Sequence, residues 1–304
     1  MTNYFTSKWS SLVSRAITQE QPTQTHRTDK HNSVLEQLRA RGSSAFEHAA
    51  SELPTDDPFR CLLTQKHRDL RDDILLRFLR FNDFDLDKTI RQLQSTLTWR
   101  AQTSISSTDL SVIRGSASGI PLARIGNTTE NGDTLFFAAA ECYDRSRIDR
   151  AVQKVGVARM FEHMLYDSGG PRAKRGTVVV DFSGFGTRHV DISGLRTGVA
   201  TYMNYYPEVF EKVLLTNYPK LLYGVWKAIA PLLDAQTARR IIWAGNAEQL
   251  RDSLLETFSV KHIPTWLGGR SEVSSITLLN GIEVQASLLA KRFFRDKDQI
   301  CINP

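Results

Sequence analysis

One stretch of the chain, residues 205–245, limits the possible fold more than any other. Residues 213–215 form an apolar run of strand length, which Asn217, Tyr218 and Pro219 interrupt. A helix over 221–233 is predicted next, because apolar residues recur there at helical spacing: Leu221, Leu222, Val225, Trp226, Ile229, Leu232 and Leu233. A second strand is predicted over 239–245. A strand, a crossover helix and a second strand indicate a parallel sheet.

The predicted helix 221–233 is apolar over a wide arc. Its polar residues are few, chiefly Lys220, Lys227 and those after Pro231. Such a helix covers an apolar surface while its edge meets water or lipid. Two interpretations stay open on these residues: a lid over a cavity, or an ordinary core helix on a sheet.

The rest of the chain continues the alternation of strands and helices. The pattern is helical from residue 51 to residue 100, and two antiparallel helices are predicted within it, with Asp85 as the N-cap of the second. A hairpin is predicted at 120–125 with 134–140, and a buried strand at 177–180. Three further helices are predicted over 148–166, 192–205 and 247–258. A last strand or hairpin is predicted at 276–279 with 282–284. This order predicts an α/β fold, in which a helical N-terminal subdomain precedes a mostly parallel β-sheet lobe with crossover helices.

The first fifty residues are rich in Ser, Thr, Gln and His, and three interpretations remain open. One is a disordered tail. A second is an amphipathic helix lying in a membrane interface, because one helical face carries Phe5, Trp9, Leu12, Val13 and Ile17. The third is an organelle-import presequence, whose composition the segment also fits.

Composition and charge narrow the classes of protein. With 41% hydrophobic and 24% charged residues, the chain has the composition of a globular protein, and its net charge of +6 suits anionic surfaces or simple solubility. Three scattered cysteines argue against a disulfide framework and favour a reducing compartment. No apolar run of about 18 residues occurs, so we expect any membrane contact to be peripheral.

Motifs for catalysis are missing from the sequence. Neither a Gly-x-Gly-x-x-Gly turn nor a Gly-x-x-x-x-Gly-Lys-Ser/Thr loop is present. Ser183 lacks the glycine two places before it that a nucleophile elbow needs, and Cys142 lacks the spacing of a phosphatase loop. The seven histidines include no pair four residues apart. We therefore expect no catalytic residue, no cofactor and no metal site.

Several of these features together resemble a known family. They are Tyr-Tyr-Pro-Glu at 205–208, the apolar strand ending at Asn217, the segment 226–234, and the strand ending at Gly245. The similarity extends upstream to 75–80 with Phe84 and Trp99, and downstream to 262–264 and 267–269. In this order they resemble the CRAL-TRIO lipid-binding domain of phosphatidylinositol-transfer-type proteins.

The resemblance implies a hydrophobic pocket enclosed by the lobe and gated by the helix 221–233, and a site for a lipid headgroup. By position, Glu208 matches the family's glutamate, and Arg240 stands in place of its lysine, with the same charge. The family's serine and threonine correspond here to Gly176 and Val178, which puts phosphatidylinositol in doubt. We assign Val178 to the pocket with the seven apolar residues of the helix.

These observations lead to one prediction for the whole chain. Its segments are a poorly ordered start (1–50), a helical subdomain (51–118), a CRAL-TRIO-like lobe (119–269) and a C-terminal extension (270–304). We expect a cytoplasmic, non-enzymatic monomer that binds and transfers or presents a hydrophobic ligand. A phospholipid, phosphatidylinositol or phosphatidylcholine, is favoured over a sterol, tocopherol or retinoid.

The expected partners follow from charge and from the resemblance. Peripheral contact with anionic membranes is expected through the lid and five basic residues: Lys212, Lys220, Lys227, Arg239 and Arg240. No nucleic acid is expected, and a small GTPase or a lipid kinase is a candidate protein partner. The alternatives are a lipid-sensing regulatory module and an α/β-hydrolase-like enzyme.

Overall fold

The structure is a computed structural model, and it describes residues 24–54, 57–63, 68–103, 105, 122–125, 134–143, 145–167, 175–278 and 283–287. Its helices are α1 (Gln24–Ser51), α2 (Pro58–Leu63), α3 (Arg68–Phe81), α4 (Leu86–Thr103), α5 (Arg150–Glu162), α6 (Ile192–Tyr205), α7 (Leu221–Ile229), α8 (Ala235–Arg239) and α9 (Ala247–Leu255). Its strands are β1 (Leu122–Ile125), β2 (Thr134–Ala139), β3 (Gly176–Asp181), β4 (Phe210–Thr216), β5 (Ile241–Trp243), β6 (Ser275–Thr277) and β7 (Glu283–Gln285).

The strands β1 to β5 form one sheet in sequence order. Strand β1 pairs antiparallel with β2, and β2 to β5 run parallel. Helices α5, α6 and α7 lie in the connections between the parallel strands, as crossovers must. The predicted α/β fold with a mostly parallel sheet is therefore confirmed. Strands β6 and β7 form a separate antiparallel pair, the hairpin alternative for the C-terminal region.

The two faces of the five-stranded sheet have different neighbours. Side chains alternate along a strand, so Val178 and Val180 face one way while Thr177 and Val179 face the other. The face of Val179 packs against α9, Trp266, Ile276 and Val284; we call it the packed face. The face of Val178 lies beneath α5, α6 and α7; we call it the cavity face.

The helices α3 and α4 form the predicted antiparallel pair, and Asp85 caps α4 by accepting a hydrogen bond from the Lys88 backbone N–H at 2.9 Å. Helix α1 differs from the prediction of a poorly ordered start, because residues 24–51 are helical. Its buried Leu35, Leu38 and Phe46 belong to the same apolar cluster as α3 and α4. This helix is polar in sequence and is stabilised by packing rather than by propensity. The predicted amphipathic segment 5–17 lies outside the described residues.

A fully buried ionic cluster connects the helical part to the lobe. Arg100 of α4 donates hydrogen bonds to Asp57 at 2.9 Å and to Glu162 of α5 at 2.6 Å. The Tyr206 hydroxyl also donates to Glu162 at 2.5 Å. Burial opposes the charge on Arg100, but the neighbouring acids more than compensate and hold its pKa well above the ordinary value. Helix α4 is therefore fixed against α5 by charge as well as by apolar packing.

Candidate functional site

A cavity of about 440 Å³ lies between the cavity face of the sheet and the helices above it. Its floor is formed by side chains of β1 to β5, including Ala138, Val178, Val180, Val213 and Trp243. Its walls come from α5 and α6, and α7 forms its cover. Nearly the whole lining is apolar, as expected for a site that binds a hydrophobic molecule.

The volume limits the size of an occupant. An engineered protein cavity of about 150 Å³ accommodates benzene, which has six non-hydrogen atoms. By proportion, the cavity here has room for roughly eighteen such atoms. That corresponds to one acyl chain or one fused-ring skeleton, and a two-chain phospholipid is larger than this space.

Helix α7 covers the cavity with its inner side chains. Leu222, Val225 and Ile229 are buried and line the cavity, as do the half-buried Trp226 and Leu233. The helix ends at Ile229 and a single 3-10 turn, Ala230–Leu232, completes the segment predicted as one helix. Leu221 and Leu232 point outward instead and are 37% and 44% exposed.

Both ends of the cover are fixed by short polar contacts. Before α7, Asn217 has a left-handed backbone (φ 52°), and its side-chain amide donates to Asp181 at 2.9 Å. After α7, the Asp234 carboxylate accepts hydrogen bonds from the Thr237 backbone N–H and hydroxyl at 2.8 and 2.6 Å. Helix α7 therefore lies between two polar anchor points, Asn217 before it and Asp234 after it.

The outer side of the cover is apolar and basic. Four large apolar side chains that are more than a third exposed surround it: Leu195, Leu221, Tyr223 and Leu232. Lys220 and Lys227 are exposed on the same helix segment, and Arg239 is exposed beyond it. Lys212 does not belong to this surface, because it lies on the packed face of β4 and pairs with Glu256 after α9.

The two residues predicted to hold a headgroup meet in a cluster of charges at the amino ends of the parallel strands. The carboxylate of Glu208 forms ion pairs with Arg80 of α3 and with Arg240, each at 2.6 Å, and with Arg175 at 3.6 Å. Arg240 also donates to the Phe210 carbonyl at 2.9 Å. Only 2% of the Glu208 side chain is exposed, and its backbone is left-handed (φ 58°). Such a conformation costs about 1–3 kcal/mol and persists where the surroundings hold it.

The space beside this cluster is filled by protein atoms. A Cβ atom on Gly176 would lie 2.9 Å from Phe136 Cε2 and 3.0 Å from Met164 Cε. Val178, two residues on, lines the cavity with a branched apolar side chain. Of the two predicted headgroup residues, Arg240 lines the cavity, and its guanidinium pairs with the Glu208 carboxylate at 2.6 Å.

A second polar group lies at the opposite end, where the strands reach their carboxyl ends. The Asp191 carboxylate, the N-cap of α6, accepts hydrogen bonds from Arg150 at 2.7 Å, from the Tyr143 hydroxyl and from the Gly194 backbone N–H. Gln153 of α5 packs beside them, and Tyr143, Gln153 and Asp191 all line the cavity. We call Tyr143, Arg150, Gln153 and Asp191 the Asp191 cluster.

The hydrogen bonds of the Asp191 cluster shift two pKa values in opposite directions. Burial and the hydrogen bond to Asp191 raise the pKa of Tyr143 above its usual value. Burial would also raise the pKa of Asp191, but the donors Arg150, Tyr143 and Gly194 outweigh it and hold that pKa below the usual range. Asp191 is therefore ionised and Tyr143 keeps its proton at neutral pH.

The Asp191 cluster could not be predicted from the sequence. Its members are spread over 49 positions, 143–191, and no motif joins them. The available indication was Asp191 directly before the predicted helix 192–205, since aspartate is a favoured N-cap residue. Nothing in the sequence places Tyr143 and Gln153 beside it.

Ser183 and Cys142, the two residues considered as nucleophiles, both lie in the described part of the chain. The Ser183 hydroxyl donates to Asp181 at 2.8 Å, in a turn after β3. Cys142 is half-buried and packs against the apolar cluster on the packed face. Within the residues described, no group of three or more His, Cys, Asp or Glu is arranged to hold a metal ion. No helix in the described part has the length and apolar content to cross a bilayer.

Comparison with known proteins identifies the family that the lobe matches. Residues 124–269 match the CRAL/TRIO domain, so the predicted resemblance is confirmed. A crystal structure of Sfh5 covers 74% of this chain with a TM-score of 0.50 at 14% identity, which supports the same fold.

Curated relatives carry names that fit this domain. The chain is 25% identical over 268 residues to "Protein real-time" of Anopheles gambiae, covering 81% of this chain and 36% of that protein. It is 23% identical to phosphatidylinositol transfer protein CSR1 of Eremothecium gossypii, with coverages of 67% and 48%. It is 26% identical to phosphatidylinositol/phosphatidylcholine transfer protein SFH12 of Arabidopsis thaliana, with coverages of 73% and 44%. The chain thus spans between about a third and a half of these relatives' lengths.

Proposed function

We propose that this chain, whose residues 124–269 match the CRAL/TRIO domain, binds one hydrophobic molecule in its cavity and transfers or presents it at membranes without chemical conversion. The observation that supports this most strongly is the apolar cavity of about 440 Å³ beneath α7. Each buried methylene of a ligand is worth about 0.8 kcal/mol, so a chain of fourteen gains on the order of 10 kcal/mol on leaving water.

Exchange of the ligand requires movement of α7. Leu222, Val225 and Ile229 are each no more than 7% exposed and lie between the cavity and the outside. Opening would expose these apolar side chains, which is costly in water and favourable against a lipid surface. We therefore propose that α7 opens at a membrane and closes when the protein leaves it.

The outer surface of α7 fits this role. Its exposed apolar residues include Leu221 and Tyr223, and Lys220 and Lys227 flank them. Apolar and basic groups together favour contact with an anionic leaflet. Peripheral membrane association on the cytoplasmic side is part of the proposal.

The chemical identity of the ligand is a separate question. The names of two relatives include phosphatidylinositol, and the sequence favours a phospholipid. A phospholipid remains a prediction for this chain. A space of about 440 Å³ has room for about one of its two chains, and the charges of Glu208 and Arg240 are paired with one another.

Binding of the neutral dye Nile red tests the proposal. The wild-type chain should bind the dye with strong fluorescence enhancement, because contact with the apolar lining removes its ring system from water. Val180→Trp, which adds bulk on the cavity face, should reduce the affinity at least about tenfold, in line with the loss of roughly 1.4 kcal/mol.

The control is Leu250→Met on the packed face, where Leu250 is 1% exposed. Methionine has nearly the same volume as the leucine that it replaces. The variant should keep wild-type dye binding. Equal dye binding by wild type and a folded Val180→Trp would contradict the proposal.

A further inference from the structure

The two polar ends of the cavity differ in what they still offer to a ligand. At the Glu208 end, the carboxylate receives three arginines and Gly176 is covered by Phe136 and Met164. At the Asp191 end, polar side chains form the wall itself. The hydrogen bonds that each of these side chains already makes show which of them can still bind a ligand.

Asp191 and Arg150 are committed to one another. The Asp191 Oδ1 atom accepts from the Gly194 backbone N–H at 3.0 Å and from Arg150 at 3.1 Å. Its Oδ2 atom accepts from Arg150 at 2.7 Å and from the Tyr143 hydroxyl. A carboxylate so occupied has little capacity left, and its positive partner is neutralised.

Gln153 and Tyr143 retain hydrogen-bonding capacity. The Gln153 Oε1 atom accepts from Arg150 at 2.8 Å, which fixes the amide so that Nε2 points the other way. The contacts of Nε2 are long, 3.4 Å to Asp191 and 3.5 Å to the Tyr143 oxygen. N–H···O hydrogen bonds normally measure about 2.7–3.2 Å, so these contacts are weak. The buried amide therefore has a donor available.

The Tyr143 oxygen completes the pair. It gives its proton to Asp191, and its remaining lone pairs meet only the long Gln153 contact among the hydrogen bonds found for it. One donor and one acceptor thus lie together in a lining whose surface is nearly all apolar. His189 also lines this end, but its Nδ1 accepts from the Gly186 backbone N–H at 2.8 Å and its Nε2 contacts Arg188.

A hydroxyl group matches this pair, because it both accepts and donates a hydrogen bond. A phosphate does not match it. Phosphate binding requires cations or several free N–H donors, and the charged side chain in the lining at this end of the cavity is the carboxylate of Asp191. Leaving the amide donor unpaired beside a purely apolar ligand is also unfavourable.

We propose that Gln153 and Tyr143 form a hydroxyl-binding subsite, which selects a neutral single-chain or fused-ring alcohol of roughly eighteen non-hydrogen atoms over a phosphate-bearing lipid. The inference rests on the proposed function, because it assumes that the cavity holds the ligand. Gln153 Nε2 donates to the ligand oxygen, and the ligand hydroxyl donates to the Tyr143 oxygen.

Three probes with the same chain test the subsite: tetradecan-1-ol, tetradecane and tetradecyl phosphate, each displacing Nile red from the full chain. One or two hydrogen bonds in a buried site correspond to about a fivefold gain in affinity. Wild type should therefore bind the alcohol about fivefold more tightly than the alkane, and more tightly than the phosphate ester.

Two variants assign the preference to residues. Gln153→Met keeps the length of the side chain and removes the amide, so affinity for the alcohol should fall about fivefold toward that of the alkane. Tyr143→Phe removes the oxygen and should act in the same direction without changing the ring. Gln249→Met, at a glutamine on α9, is the matched control and should leave all three affinities unchanged.

The outcomes separate the inference from the function. Equal affinity of wild type for alcohol and alkane, or tightest binding of the phosphate ester, overturns the subsite while the cavity still binds. Equal losses for alcohol and alkane in both variants also overturn it, because they indicate a change of shape. If neither Nile red nor any probe binds the folded protein, the proposed function fails and the subsite fails with it.

Discussion

The two faces of the central sheet are built from the same strands but packed in different ways. On the packed face, Val179 and Leu214 lie at 0% exposure against α9 and Trp266. On the cavity face, Val178 and Val180 border a space of about 440 Å³. Alternation along a strand thus lets one sheet carry a solid core on one side and a binding site on the other.

The difference shows where stability and function reside. Close packing on one face supplies the contacts that hold the sheet together. The other face gives up part of its contacts to leave room for a ligand. Mutations of the same kind on the two faces should therefore have different effects, and these can be ranked.

Truncation of a leucine should give the largest difference. Leu254→Ala on α9 removes a side chain at 0% exposure on the packed face and should cost about 2–5 kcal/mol in the free energy of unfolding. Leu222→Ala on α7 should cost about half as much or less, because Leu222 already borders empty space. Urea unfolding of both variants measures this. Equal losses would show that α7 is packed as tightly as α9.

Enlargement of a valine should give the next largest effect. Val179→Phe overpacks the packed face and should cost about 1–3 kcal/mol. Val178→Phe, one residue earlier, points into the cavity, so we expect a smaller loss of stability together with weaker Nile red binding. Thermal unfolding and dye titration follow the two effects. A greater loss of stability in Val178→Phe would contradict the comparison.

The Asp191 cluster predicts a pH-dependent contribution on the cavity face. The folded pKa of Asp191 lies below its value of about 3.9 in the unfolded chain, so its ionised form stabilises the fold above that pH. Asp191→Asn should cost about 1.5 kcal/mol near pH 7. The difference between wild type and variant in the free energy of unfolding should disappear as the pH falls below about 4. Urea unfolding across this pH range measures this difference, and one that stays constant would exclude the ionised carboxylate as its source.

Substitution of two glycines should give the smallest effect. Gly176→Ser brings a Cβ atom to 2.9 Å from Phe136 and should cost about 1 kcal/mol, since the ring can shift. Gly186→Ser, where no atom lies within 4 Å of the added Cβ, is the control and should be nearly neutral. Thermal midpoints compare the two. Equal stabilities would mean that the space above Gly176 is open to a headgroup after all.

Much of the architecture could be predicted from periodicity. Alternating strand and helix patterns gave the parallel order, and the β-branched run at 177–180 indicated the central strand, which the structure has at Gly176–Asp181. Helix α6 begins and ends at the predicted residues, Ile192 and Tyr205. These elements have strong local patterns.

Elements held by tertiary contacts were less predictable. Helix α1 has few apolar residues in sequence, and the partners that bury Leu35 and Leu38 come from α3 and α4. Glu208 and Arg240 were predicted from the resemblance alone. Glu208 also pairs with Arg80 and Arg175, which lie 128 and 33 positions before it in the sequence. The Asp191 cluster likewise forms through the fold alone.

Native mass spectrometry of the purified chain tests the central claim, that α7 closes over a hollow apolar interior, most directly. After incubation with tetradecan-1-ol, the folded protein should carry one bound molecule, which is released on denaturation, and the bound fraction should be much smaller in Val180→Trp. A folded wild-type protein that stays at its bare mass would show that the interior is not a binding site.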